Sequence, residues 1–145
     1  MIIEEMSAGE CIVLIEAERV GRLGCSKDGR SYVVPLYYVS EEGRLYSFSK
    51  PGRKIDFMRA NPHVCFEVEN IAAGNTWKCV IVQGMFREYT VDEDRQRAWE
   101  ILSIHNDWWE PGGRNVEPGG TSSSRAPIFF SISMDEVTGR RAVSE

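Results

Sequence analysis

The sequence is poor in the features that define several large functional classes. No apolar run approaches the roughly 20 residues that cross a bilayer. The opening MIIEEMSAGE has no basic segment followed by a long apolar stretch, so no secretory leader is predicted and a soluble cytoplasmic protein is expected. Basic residues are outnumbered, 17 Lys and Arg against 22 Asp and Glu for a formal net charge of -5, which argues against a general nucleic-acid surface. Histidine is scarce: His63 and His105 are the only two, and neither is spaced to join a cysteine cluster, so no metal site is predicted. Cys11, Cys25, Cys65 and Cys79 include no Cys-x-x-Cys pair and are read as reduced, mostly buried thiols. A Walker loop, a Gly-x-Gly-x-x-Gly turn, internal repeats and a usable Ser/His/Asp spacing are all missing, which disfavours the usual nucleotide and hydrolase frameworks.

What is present is strand-rich. With 145 residues and 42% hydrophobic content, the chain suits one domain over 1–145 with a real core. Ser7-x-x-Glu10 is a capping-box pattern, and Cys11, Leu14 and Ile15 then share a face, predicting a helix over Ser7 to Ala17. Val20 to Ser26, Ser31 to Ser40 and Arg44 to Ser49 are β-branched or aromatic runs separated by Lys27-Asp28-Gly29-Arg30 and Glu41-Glu42-Gly43, predicting two consecutive hairpins. Pro35 marks its strand as an edge, a bulge, or a place where backbone groups face something other than a neighbouring strand. Alternation resumes at Val64, Phe66 and Val68 and again over Thr76 to Thr90, where Gly84 predicts a bulge or a close backbone approach. Thr90-x-x-Glu93 suggests a further helix over Val91 to Ile104, and Ile128 to Val137 reads as the last of six strands. Strands in runs rather than alternating with helices favour an antiparallel barrel over a doubly wound sheet.

One turn stands out. Ser49, Lys50, Arg53 and Lys54 crowd a corner set by Pro51 and Gly52, and Ile55, Phe57 and Met58 begin an apolar helical face ending near Asn61, before Pro62. Free amides at a helix start, flanked by hydroxyl and cationic groups, suit a phosphate dianion. Basic residues at that end otherwise oppose the helix dipole; the competing reading is a solvated first turn. His63 is read as exposed or structural, and His105 as a helix-end residue. Trp108 and Trp109 serve either as a lid or as an anchor for their loop, and Gly112 to Ser124 is either a flap or disordered.

Taken in order, VGRLGCSKDGRSYVVPLYY, LYSFSKPGRKIDFMRANPHVCFEVE, WKCVIVQGMFRE and ISMDEVTGRR resemble the pyridoxamine 5'-phosphate oxidase-like FMN-binding split barrels, particularly the nitroimidazole-resistance (Nim) type of flavin-binding protein. The likeness runs from about Glu10 to Arg141 and rests on the order of these segments. It implies a mainly β, six-stranded antiparallel split barrel with flanking α-helices, binding FMN at the interface of a homodimer. By the same resemblance Tyr32, Val33, Val34, Pro35 and Leu36 lie along the flavin ring. Ser47, Phe48 and Ser49 line the ribityl chain, and Lys50, Arg53 and Lys54 hold the phosphate. Gln83 stands near the flavin or its tail, and Trp77 or the Trp108-Trp109 pair covers a ring face, from the partner subunit in one arrangement. Phe48 departs from the many Nim-like relatives that have a histidine there, which weakens the case for nitroimidazole reduction. The activity implied is that of an FMN-dependent oxidoreductase acting on nitroimidazole-like or quinone-like small molecules. A flavin carrier without turnover is the other implied reading, and haem or deazaflavin stays open on the same fold.

Overall fold

A computed structural model describes residues 1–104 and 126–144. Strand β1 (Ile2–Glu5) leads into helix α1 (Ala8–Ala17), then β2 (Val20–Lys27), β3 (Arg30–Tyr37), β4 (Val39–Glu41) and β5 (Arg44–Ser49). Helix α2 (Arg53–Ala60) follows, with β6 (His63–Ile71), β7 (Trp77–Tyr89), α3 (Asp92–Leu102), β8 (Ile128–Ser133) and β9 (Glu136–Val143). The architecture is mainly β, and every strand pairing is antiparallel. Strand order is β3-β2-β6-β7-β8-β5-β4, with β9 also on β7 and β1 on β9. No helix of the described residues is long and apolar enough to cross a membrane.

The described residues contain nine strands where six are expected from the sequence. One expected strand is two: Tyr38 leaves the ladder, its amide donating to the Arg19 carbonyl at 3.0 Å and its hydroxyl to the Ile15 carbonyl at 2.6 Å, so β3 and β4 belong to different halves of the sheet. The closing run is also interrupted. Met134 and Asp135 donate to the Gly43 and Gln83 carbonyls, which ends β8 and starts β9 against a different part of β7. Strand β1 is exposed at all four residues and therefore has no inward-outward alternation to read.

Turn chemistry and close approach set the rest. Both hairpin turns, Asp28-Gly29 and Glu42-Gly43, have positive φ at each residue, the conformation that matches the twist of tight antiparallel pairs. At Gly84 an added Cβ would stand 1.7 Å from the Ser133 carbonyl oxygen. There β7 passes from its pairing with β6 and β9 to its pairing with β8, so the expected close approach is real. The capping box of α1 is formed in both directions, Glu10 amide to Ser7 Oγ at 3.2 Å and Ser7 amide to Glu10 Oε1 at 3.0 Å. The Thr90-x-x-Glu93 box is not: Val91 is the cap residue of α3, without a side-chain bond, and Asp92, Glu93 and Asp94 face the helix dipole instead.

The main core fills the space between the halves with Ile15, Leu23, Ile55, Met58, Phe66 and Val82, all at 0% exposure. Each such side chain contributes about 1.5 to 3 kcal/mol of transfer free energy. A second cluster joins Ala98, Ile101 and Leu102 of α3 to Val39, Tyr46 and Phe129. Cys11 and Cys25 are buried, Cys65 and Cys79 half-buried, and all four are free.

Candidate functional site

The cationic corner lies between β5 and α2. Ile55 and Met58 fix α2 on the core, while Gly52 at its start is extended (φ 173°, ψ -168°) and supplies no side-chain cap. The helical bonds begin with the Asp56 amide on the Gly52 carbonyl at 3.0 Å, so the amides of the first turn face the corner without a cap. Ser49, 9% exposed, is held from both sides: its hydroxyl donates to the Lys50 carbonyl at 2.8 Å and accepts from Lys54 Nζ at 2.8 Å. Burial pushes the Lys54 ammonium below the ordinary lysine pKa, partly opposed by the nearby Cys25. Lys50 and Arg53 are exposed.

Arg53 ties this corner to the edge strand. Its guanidinium lies 5.4 Å from the centroid of the Tyr32 ring, and that ring meets Phe57 at 5.6 Å with a 54° tilt. Among the described residues, Lys50, Arg53 and Lys54 form no ion pair with a carboxylate, whereas Arg22, Arg59, Arg97 and Arg141 are each paired with glutamate. The positive charge of the corner is thus uncompensated by any carboxylate of the described residues.

Among the described residues, strand β3 is at the sheet edge and pairs with β2 alone, which is the position expected of a strand carrying Pro35. Tyr32 and Val34 pack inward beside the buried Leu36, and Val33 and Pro35 stand exposed on the other face. Ser47 is buried and donates to the Tyr37 carbonyl at 2.6 Å, fastening the end of β3 to β5. Phe48 packs into the second cluster, 6.1 Å from Phe129.

Gln83 shares a sheet row with the edge strand: Val33 pairs with Gly24, Gly24 with Cys65, and Cys65 with Gln83. The absent side chain of Gly24 opens a hollow in that row, into which Cys65 Sγ leans; a Cβ there would be 2.7 Å from it. Trp77 starts the same strand as Gln83 but lies about 20 Å along it. It lines a separate cleft of about 430 Å³ with Cys79, Ile81 and Arg140. Within one chain, the corner, Tyr32 and β3 come together and Trp77 does not join them.

Two groups had no clear signal in the sequence. Burial raises the Glu67 carboxyl. Cys79 donates to its Oε2 at 3.2 Å and is itself pushed up to about 12 by burial and then by that carboxylate. A second cleft, of about 520 Å³, is lined by Lys27, Asp28, Arg30, Ser31, Tyr32, Arg53 and Phe57. The Lys27 to Arg30 segment reads only as a turn, because its approach to α2 depends on tertiary packing. His105, Trp108, Trp109 and the Gly112 to Ser124 segment lie outside the described residues.

Known proteins resemble the chain over nearly its whole length. The family model described as pyridoxamine 5'-phosphate oxidase matches residues 7–141. An uncharacterized protein of Rhizobium meliloti (strain 1021) is 40% identical over 146 residues, 98% of this chain and 97% of that protein. The crystal structure of an FAD-binding protein from Mesorhizobium loti is 43% identical with a TM-score of 0.79, covering 99% of this chain and 100% of that one. At 18% identity, a candidate 5-nitroimidazole antibiotic resistance protein of Bacteroides thetaiotaomicron shares the fold, with a TM-score of 0.73 over 97% of this chain and 89% of that one. From the family match across the core elements and the near-complete overlap with these relatives, this chain belongs to the pyridoxamine 5'-phosphate oxidase family.

Proposed function

We propose that the chain is a flavin-dependent oxidoreductase that binds FMN, or the FMN half of FAD, at the corner between β5 and α2. The observation that carries this reading is the set of cations at Lys50, Arg53 and Lys54, unpaired with any described carboxylate and set against an uncapped helix start. A phosphate completes both the charge and the amide bonds. The FAD-binding relative from Mesorhizobium loti supports a flavin as the ligand.

In this reading the ring lies against β3, whose outer edge pairs with no strand among the described residues, and Ser47, Phe48 and Ser49 border the ribityl chain. Gln83 approaches the ring along the row it shares with Val33. The exposed apolar side chains Val20, Val33 and Tyr37 (41%, 64% and 45%) form one strip on adjacent strands, and we assign it to a homodimer contact. Trp77 then serves the ring only from the partner subunit. The flavin supplies the electron chemistry when bound, and the protein supplies position, charge and exclusion of water.

Nitroimidazole-like and quinone-like compounds are the substrate classes proposed. The carrier reading is favoured by Phe48, an apolar ring packed on Phe129 where a proton donor would otherwise serve a reductase. An absorption spectrum and a solution mass of the purified protein test the flavin and the dimer together, and Val33→Asp should shift the mass to that of a monomer. Colourless protein that takes up neither FMN nor FAD contradicts the reading. Stopped-flow mixing of the flavin-loaded protein with NADH and NADPH separates the two roles. Bleaching of the flavin band marks a reductase; no bleaching with either donor leaves the carrier.

A further inference from the structure

We propose that the cleft between the β2–β3 turn and α2 is a subsite for the adenosine and second phosphate of FAD, making FAD rather than FMN the preferred ligand. The inference rests on the flavin-nucleotide reading above and adds to it the identity of the nucleotide.

The cleft is continuous with the corner because Arg53 belongs to both: it is the first residue of α2 and it lines the cleft. In that reading a monophosphate is already served by Lys50, Arg53, Lys54 and the first-turn amides. Lys27 and Arg30 are therefore surplus for FMN, yet they lie beyond Arg53 on the wall of the same opening. Three cations and one carboxylate, Asp28, line it, so the lining is positive by two charges (3 - 1), and none of those cations has an ion pair among the described residues. Asp28 is in a left-handed turn conformation (φ 51°) beside Gly29.

With Arg53 shared with the first phosphate, a second phosphate accounts for Lys27 and Arg30. The flat surfaces account for the remainder of the ligand. The Arg53 guanidinium lies over the Tyr32 ring at 5.4 Å and Tyr32 meets Phe57 at 5.6 Å, so a guanidinium layered on one ring and a second ring beside it line the cleft. A purine stacks on such surfaces without needing a base-specific set of hydrogen bonds. The cleft volume of about 520 Å³ falls within the range of small-molecule sites. Three cations lining one cleft without an ion-pair partner among the described residues repel one another, which an anion between them relieves.

The test is a titration of flavin-free full-length protein with FMN, FAD and riboflavin at about 0.15 M ionic strength, for the native sequence and for the double variant Lys27→Gln/Arg30→Gln. The expected result is FAD bound at least about tenfold more tightly than FMN by the native protein. In the variant, FAD affinity falls by about tenfold or more while FMN affinity changes by less than about twofold. Unchanged FMN binding also shows that the variant is folded. Equal affinities for FMN and FAD in the native protein, or a parallel fall of both in the variant, overturn the subsite and leave the flavin site standing. Failure to bind any of the three ligands overturns both.

Discussion

In the proposed reading, Lys54 is the side chain on which phosphate recognition turns, because its ammonium is half-buried, already oriented by Ser49 at 2.8 Å and unpaired with any described carboxylate. A charge-assisted hydrogen bond contributes about 1.5 to 3 kcal/mol, so Lys54→Ala should weaken flavin binding by about tenfold to a hundredfold, read by quenching of flavin fluorescence. An unchanged affinity contradicts the role. Since burial lowers the Lys54 pKa below 10.5, its charge is lost at lower pH than that of an ordinary lysine. Affinity should therefore decline as pH rises through that lowered pKa, beginning below 10.5, while Lys54→Arg keeps its charge and declines later. Superimposable pH profiles for the two proteins count against this. At this scale the basic residues themselves are plain in the sequence, as is the helix they precede. The Ser49 bond and the layering of Arg53 on Tyr32 are not, because Tyr32 is 21 positions from Arg53 and only the packing of α2 beside the hairpin brings them together.

Local rules work for elements whose signals are not overridden by pairing. Helix α1 is legible because Ser7 and Glu10 form both halves of the box. Glu10 is held at a pKa of about 2 by the Ser7 amide and by Arg141. Its folded pKa is thus below the unfolded value of 4.5, so its contribution to stability is full above 4.5 and is lost as pH falls towards 2. Thermal unfolding should show Glu10→Gln less stable than the native protein at pH 7, with the gap closing near pH 2; a constant gap across that range refutes the assignment. The same four-residue pattern misleads at Thr90, since β7 continues to Tyr89, which pairs with Phe129 and stacks on Tyr46 at 6.0 Å, leaving Thr90 as a link and Val91 as the cap. Pro35 and Gly84 are legible for steric reasons: one lacks a donor and takes the edge, the other admits a crossing backbone. Gly84→Ala should cost about 3 kcal/mol or more in chemical denaturation, because the obstruction is the Ser133 backbone rather than a movable side chain. A loss under about 0.5 kcal/mol means the strands separate easily there. Strands β1 and β9 escape reading because neither has a continuous buried face.

At the scale of the molecule, β7 divides the sheet: β2, β3, β6 and β9 gather on its first part, and β8, β5 and β4 follow from its last. The cationic corner ends β5 in one half, and the edge strand β3 belongs to the other. Helix α2 spans them, through Arg53 on Tyr32 at its start and through Asn61, just past its end, whose Nδ2 donates to Ser26 Oγ at 3.1 Å. The candidate site therefore lies where the two halves meet, a placement that no single segment of sequence encodes even though each segment announces its own element. The most direct test of phosphate recognition at that junction is a crystal structure of the flavin-loaded protein. The predicted result is density for the 5'-phosphate within hydrogen-bond reach of Lys54, Arg53 and the first amides of α2. A flavin bound with its phosphate turned to another part of the surface contradicts it.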